Sequence, residues 1–117
     1  MKWKVEFYRK ENGEEPVKEF LLSLPEKHRA KAVREIDLLE EFGTNLKEPH
    51  VKHIKGHKNL WELRIKFAGD ISRIFYFMPI NDTFLLLSGF VKKTEKTPQG
   101  EIDKALHYME DYARRTK

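Results

Sequence analysis

A chain of 117 residues can bury one hydrophobic core but not two, and its lack of cysteine excludes a disulfide framework, thiolate catalysis and cysteine-ligated zinc. A hydrophobic fraction of 39% with 12% aromatics argues against general disorder, while 36% charged residues promise a heavily solvated surface. The net charge of +4 is unevenly held: residues 1–50 carry ten basic and eleven acidic side chains, residues 51–117 thirteen and eight. A polyanion is the natural partner of such a C-terminal half, and a solvated lysine-rich surface is the alternative. No apolar run reaches the roughly 20 residues of a membrane span. Met1–Glu6 alternates in charge where a secretory leader would be apolar. The expectation is one domain over residues 1–117, cytoplasmic and away from the membrane.

Trp3, Val5 and Phe7 alternate with Lys4, Glu6 and Tyr8, the period of a half-buried strand. After the Asn12-Gly13 turn, Val17, Phe20, Leu21 and Leu24 fall at helical spacing. Ser23-Leu24-Pro25-Glu26 reads as the capping box of a second helix. That helix has an apolar stripe of Ala32, Val33, Ile36, Leu39 and Phe42 and stops at Gly43. Its outward face, which includes Lys31, Arg34 and Glu35, reads as a mixed solvated surface or a partner-protein surface. A polar connection follows, then an extended stretch from Val51 to Lys55. Leu60–Phe67 alternates again, with Trp61, Leu63, Ile65 and Phe67 on one side and Glu62, Arg64 and Lys66 on the other.

Short turns join this strand to Ile71–Met78 and then to Thr83–Val91, forming an antiparallel meander. The near-continuous apolar run of the last strand predicts an interior position covered on both faces. Thr97-Pro98 starts a final helix with Ile102, Ala105, Leu106, Met109 and Tyr112 inward. The fold class expected is α+β: a small twisted antiparallel sheet, made of an N-terminal strand and a three-stranded meander. It packs against an N-terminal helix pair and a C-terminal helix.

The candidate chemistry lies in the meander. Arg64 and Arg73 fall nearly opposite in a hairpin turning near Gly69, and two guanidiniums that close repel unless an anion binds between them or Glu62 neutralises one. Lys92 and Lys93 end the next strand, and Lys55, Lys58 and Lys96 lie in flanking loops. Together they describe a basic patch able to bind phosphate and stabilise a phosphorane-like transition state. Two readings stand: a phosphate site, or surface ion pairs with lysines guarding a sheet edge. His50, His53 and His57 lack the spacing and carboxylate company of a metal site, so no metal is expected. His53 and His57 are the candidates for general acid or base.

Three blocks then carry a resemblance. Leu60-Trp61-Glu62-Leu63-Arg64, Ser72-Arg73-Ile74-Phe75-Tyr76-Phe77 and Leu86 through Pro98, in this order and spacing, closely resemble the phage-derived, HigB-like branch of the RelE/ParE toxin superfamily. The resemblance spans nearly the whole chain. It implies a RelE-like fold and the toxin half of a type II toxin–antitoxin pair with no cofactor, neutralised by a HigA-like helix-turn-helix antitoxin. Through that antitoxin the pair would bind operator DNA.

HigB-like and RelE-like members are mRNA interferases, endoribonucleases that cleave mRNA on the ribosome. ParE-like members instead poison DNA gyrase, and a non-toxic nucleic-acid-binding regulatory subunit is a third reading. By position, the resemblance makes Arg64, Arg73 and Lys93 catalytic, orienting phosphate and stabilising charge, while Lys55, Lys58, Lys92 and Lys96 bind RNA. Some relatives place a tyrosine or histidine after the last strand as acid or base. Here Lys92–Gly100 contains neither.

Overall fold

The structure is a computed structural model that describes residues 3–92 and 97–116. Its order is β1 (Lys4–Phe7), α1 (Pro16–Ser23), α2 (Glu26–Phe42), β2 (Val51–His53), β3 (Trp61–Phe67), β4 (Asp70–Ile80), β5 (Thr83–Lys92) and α3 (Gln99–Arg115). The strands form one sheet in the order β1-β5-β4-β3-β2, with helices on both faces, so the fold is α+β as expected. No helix among the described residues is long and apolar enough to cross a membrane.

The sheet differs from the expected one in two ways. Val51–His53 adds a short fifth strand on β3, and β1 joins β5 in parallel, Lys4 opposite Thr83 through Phe7 opposite Leu86, so the sheet is mixed. Alternation shows which side chains share a face but carries no information on strand direction. The meander itself, β3–β4–β5, is antiparallel throughout.

Two cores result. On one face α1 and α2 lay Val17, Leu21, Ala32, Ile36 and Leu39 against Leu63, Ile65, Ile74, Phe84 and Leu86. On the other, Ile102 and Ala105 of α3 cover Phe75, Phe77, Leu85, Leu87 and Phe90. β5 feeds both cores, as its unbroken apolar run predicts. Tyr8, placed by alternation among the polar positions, is buried beneath α3 because the strand it follows is roofed on that side too.

Three local expectations need correction. Ser23 does not cap α2. It is the last residue of α1, its hydroxyl donates back to the Phe20 carbonyl at 2.6 Å, and Pro25 stands at the start of α2. The end of α1 is capped instead by Arg29, which donates to the carbonyl oxygens of Leu21, Leu22 and Leu24.

Within α2, Val33 and Phe42 are exposed, while Glu35 is buried and held by Lys31 at 3.4 Å and His50 at 2.8 Å. The buried stripe is therefore narrower than the apolar residues alone implied, and a carboxylate completes it. Gly43 does stop α2, at φ +54, and the Trp3 indole packs so closely on it that a Cβ there would collide with the ring.

Candidate active site

The β3–β4 hairpin closes through two residues, Ala68 and Gly69, both at positive φ, the backbone of a tight turn whose twist matches the strands it joins. That turn sets Phe67 opposite Asp70 and so places Arg64 directly opposite Arg73. The β4–β5 register then sets Phe90 beside Arg73. Residues facing one another across a sheet project to the same side. Three rungs therefore line the α3 side of the sheet: Lys66–Ile71–Lys92 nearest the hairpin tip, Arg64–Arg73–Phe90 next, then Lys52–Glu62–Phe75–Ser88.

Glu62 and Arg73 lie at the base of this arrangement, each about 2% exposed at the side chain, with Nη1 of Arg73 3.4 Å from Oε1 of Glu62. The ion pair is close enough to share charge but does not make a hydrogen bond. Nε and Nη1 of Arg73, Oε2 of Glu62 and Nε of Arg64 are all buried without a hydrogen-bond partner among the described residues. Unfilled polar capacity of this kind is costly in a closed interior and is an invitation to a ligand.

Above the pair, Arg64 and Lys92 are half-buried, and Lys52 and Lys66 are exposed. Burial lowers the pKa of Arg73 below the ordinary guanidinium range; Glu62 opposes that shift and Arg64 adds to it. Lys92 is also pushed down, by burial first, then by Arg73, with Glu62 opposing and Arg64 and Lys52 adding. Such a face is built to take an anion: planar donors that grip phosphate oxygens from two sides, and a lysine whose proton is less firmly held than on a free surface.

The other sequence candidates fall elsewhere. Lys55 and Lys58 are exposed in the loop after β2. Lys93 and Lys96 lie outside the described residues. His53 belongs to the opposite face of the sheet, opposite Trp61 in the register, with its ring 4.8 Å from the indole and its Nε2–H donating to the Lys58 carbonyl at 2.9 Å. His57 is half-buried in the turn that follows. His50 is engaged by Glu35. Among the described residues, no group of three or more histidine or acidic side chains gathers in a metal-ligating arrangement.

Two members of the site were not singled out from sequence. Lys52 was overlooked, although alternation from Val51 would have set it on the Glu62 side. Glu62 was expected either to neutralise one of the arginines, as its pairing with Arg73 does, or to form surface pairs; its burial was not foreseen, because a charge alternating with apolar residues ordinarily marks the solvent face. The opposite face has its own feature, a cavity of about 350 Å³ at the β2 end of the sheet, bordered by Gly43, Leu46, Trp61, Tyr76, Met78 and Phe84.

A mixed sheet roofed by helices on both sides, with facing arginines over a buried carboxylate, defines a small α+β protein with a basic strand face. Residues 19–110 match the family described as "Phage derived protein Gp49-like (DUF891)", and the chain belongs to that family. This family is part of the RelE/HigB-type toxins and is associated with toxin–antitoxin systems, which implies an antitoxin partner. Comparison with curated proteins finds no match.

Proposed function

We propose that this chain is the toxin of a type II toxin–antitoxin pair, a ribosome-dependent mRNA endonuclease silenced by a helix-turn-helix antitoxin that also anchors the pair to operator DNA. The observation that carries the reading is the set of buried, unpartnered guanidinium N–H groups on the Arg64–Arg73 rung. A phosphodiester is the polyanion that a basic strand face of a toxin in this family would meet on the ribosome. Arg64 and Arg73 orient the scissile phosphate and offset the charge gained in its transition state. Lys52 and Lys92, with Lys55, Lys58, Lys93 and Lys96 from the flanking segments, hold the RNA backbone.

Induced expression should halt translation, with cleavages mapped in ribosome-bound messages and relieved by co-expression of the antitoxin. Growth arrest with intact mRNA would overturn this reading. One observation favours a second reading: His53, the nearest imidazole to the patch in sequence, faces away from it. A strand face that has, among the described residues, no imidazole beside it to transfer protons fits a non-nucleolytic, ParE-like gyrase inhibitor. A supercoiling assay separates the two, since only the second reading predicts its inhibition.

A further inference from the structure

The rungs around Arg73 hold one carboxylate and several cations, and that imbalance assigns parts to two residues that family membership leaves open. Arg73 of β4, Glu62 and Arg64 of β3 and Lys52 of β2 all act electrostatically on Lys92 of β5. Lys66 stands on the same rung as Lys92, at the exposed end of β3. The helix that packs on this face brings Glu101 in its first turn, already ion-paired with Lys104 at 3.5 Å. Among the described residues Glu62 is therefore the carboxylate that balances the cluster, and it sits at its base with Oε1 3.4 Å from Nη1 of Arg73.

We propose that Glu62 is the positioning residue of the site, pinning Arg73 beneath the scissile phosphate, and that Lys92 donates the proton taken up by the departing oxygen. This rests on the endonuclease reading above. In the step assigned, the ribose 2′-oxygen bonds to phosphorus as the P–O5′ bond breaks. The 2′-hydroxyl proton passes to water, and an Nζ proton of Lys92 passes to the 5′-oxygen. The products are a 2′,3′-cyclic phosphate and a 5′-hydroxyl, and solvent reprotonates Lys92.

Geometry selects Lys92 over its neighbours. It is half-buried one rung from Arg73, whereas Lys52 and Lys66 are exposed to solvent. The proton of Lys92 is loosened by burial and by Arg73 and Arg64. Glu62 works against that loosening. Without the carboxylate, Lys92 would lose its proton at lower pH and Arg73 would have no counter-charge.

The test begins with a titration of ¹⁵N-labelled lysine side chains in the intact protein, which needs no activity. Lys92 should titrate below the exposed lysines, and in Glu62→Gln its midpoint should fall by a further half unit or so. Glu62→Asp, which keeps the charge, should leave the midpoint near that of the wild type. A Lys92 midpoint unmoved by Glu62→Gln overturns the pairing.

The second arm follows cleavage on programmed ribosomes. Lys92→Arg keeps the charge but gives up no proton near neutrality, so it should retain RNA binding and lose roughly 100-fold in cleavage rate. Cleavage within about threefold of wild type would overturn the donor role. The alkaline limb of the wild-type rate should shift downward in Glu62→Gln alongside the titration, a change that a packing role for Glu62 would not produce. RNA left intact by the wild-type protein overturns the endonuclease reading and the donor role with it, while the lysine titration still decides the Glu62 pairing.

Discussion

Two charged clusters lie on the α3 side of the sheet. At one end, Tyr8 is buried beneath α3 and its hydroxyl donates to Asp111 at 2.5 Å. Arg115 donates to the same carboxylate through Nε and Nη2, and Arg114 reaches its other oxygen. Arg115 also donates to the Arg9 carbonyl and rests 5.9 Å from the centre of the Tyr8 ring. At the other end, Glu62 and Arg73 are more deeply buried and make no hydrogen bond with each other. Both clusters combine a carboxylate with arginines, so charge alone does not distinguish them. The difference is in unfilled valence: the Tyr8–Asp111–Arg115 group is closed and fastens α3 to the end of β1, whereas the Glu62–Arg73 group retains donors with no hydrogen-bond partner among the described residues. A closed cluster reads as structure and an open one as a site.

The comparison breaks first at Arg73. Arg73→Ala leaves the Glu62 carboxylate buried and uncompensated, a loss of about 3–5 kcal/mol of stability, measured by urea denaturation. The double replacement Glu62→Leu/Arg73→Met should recover most of that loss, since it removes both charges while filling the space. Loss of toxicity in Arg73→Ala alone would therefore report unfolding as readily as lost chemistry. Arg64→Ala is the cleaner probe of function, because Arg64 is half-buried and, among the described residues, pairs with no carboxylate. If Arg73→Ala unfolds at wild-type urea concentrations, the two clusters do not differ as described.

The same contrast explains what could be read from the residues alone. Alternation in Trp61–Phe67 and the apolar run of Thr83–Val91 identified the strands and the interior position of β5, and the short link near Gly69 was enough to bring Arg64 and Arg73 together. Those are local signals. The parallel pairing of β1 and the burial of Glu62 and Tyr8 depend on what covers the second face of the sheet, and no short-range pattern encodes that. His53 lies away from the patch for a related reason. Nearness in the chain to Lys55 and Lys58 placed it by the basic patch, but one step along a strand turns a side chain to the other face. Lys93 and Lys96, placed in the basic patch from their positions after the last strand, and Lys93 made catalytic by resemblance, lie outside the described residues and stand as proposals.

The closed cluster predicts a smaller, pH-dependent effect. Asp111 is held well below the usual carboxylate range, chiefly by its hydrogen bonds from Arg115 and then from Tyr8. A depressed folded pKa stabilises above the unfolded value and loses that stabilisation as pH falls through the folded one. Melting temperature should therefore decline on acidification below about pH 4. Asp111→Asn should be less stable near neutrality and flatter across that acid limb. Tyr8 carries the alkaline counterpart: burial first, and the Asp111 bond next, push its pKa up to about 12. Its contribution holds below the ordinary tyrosine value of about 10 and fades as pH rises toward the folded one. An acid limb unchanged in Asp111→Asn would mean the cluster does not fasten α3.

The smallest effect falls at the rim of the open cluster. Lys52 is exposed on β2, opposite Glu62 in the register, and has no ion-pair partner among the described residues. Lys52→Ala should leave stability within about 0.5 kcal/mol of the parent, as for most surface changes. If the strand face holds an RNA backbone, one fewer phosphate contact should weaken binding by less than about tenfold and reduce the slope of log affinity against log salt by about 0.7 for a single strand. Lys10 is the matched control. It is a lysine at the closed end of the same side, ion-paired with Glu14 at 3.0 Å, and Lys10→Ala should leave the salt slope unchanged. Fluorescence anisotropy of a labelled RNA across a salt series distinguishes them. Equal slopes for the two variants would mean that RNA does not prefer the open end, and the distinction drawn from unfilled donors would fail where it matters for function.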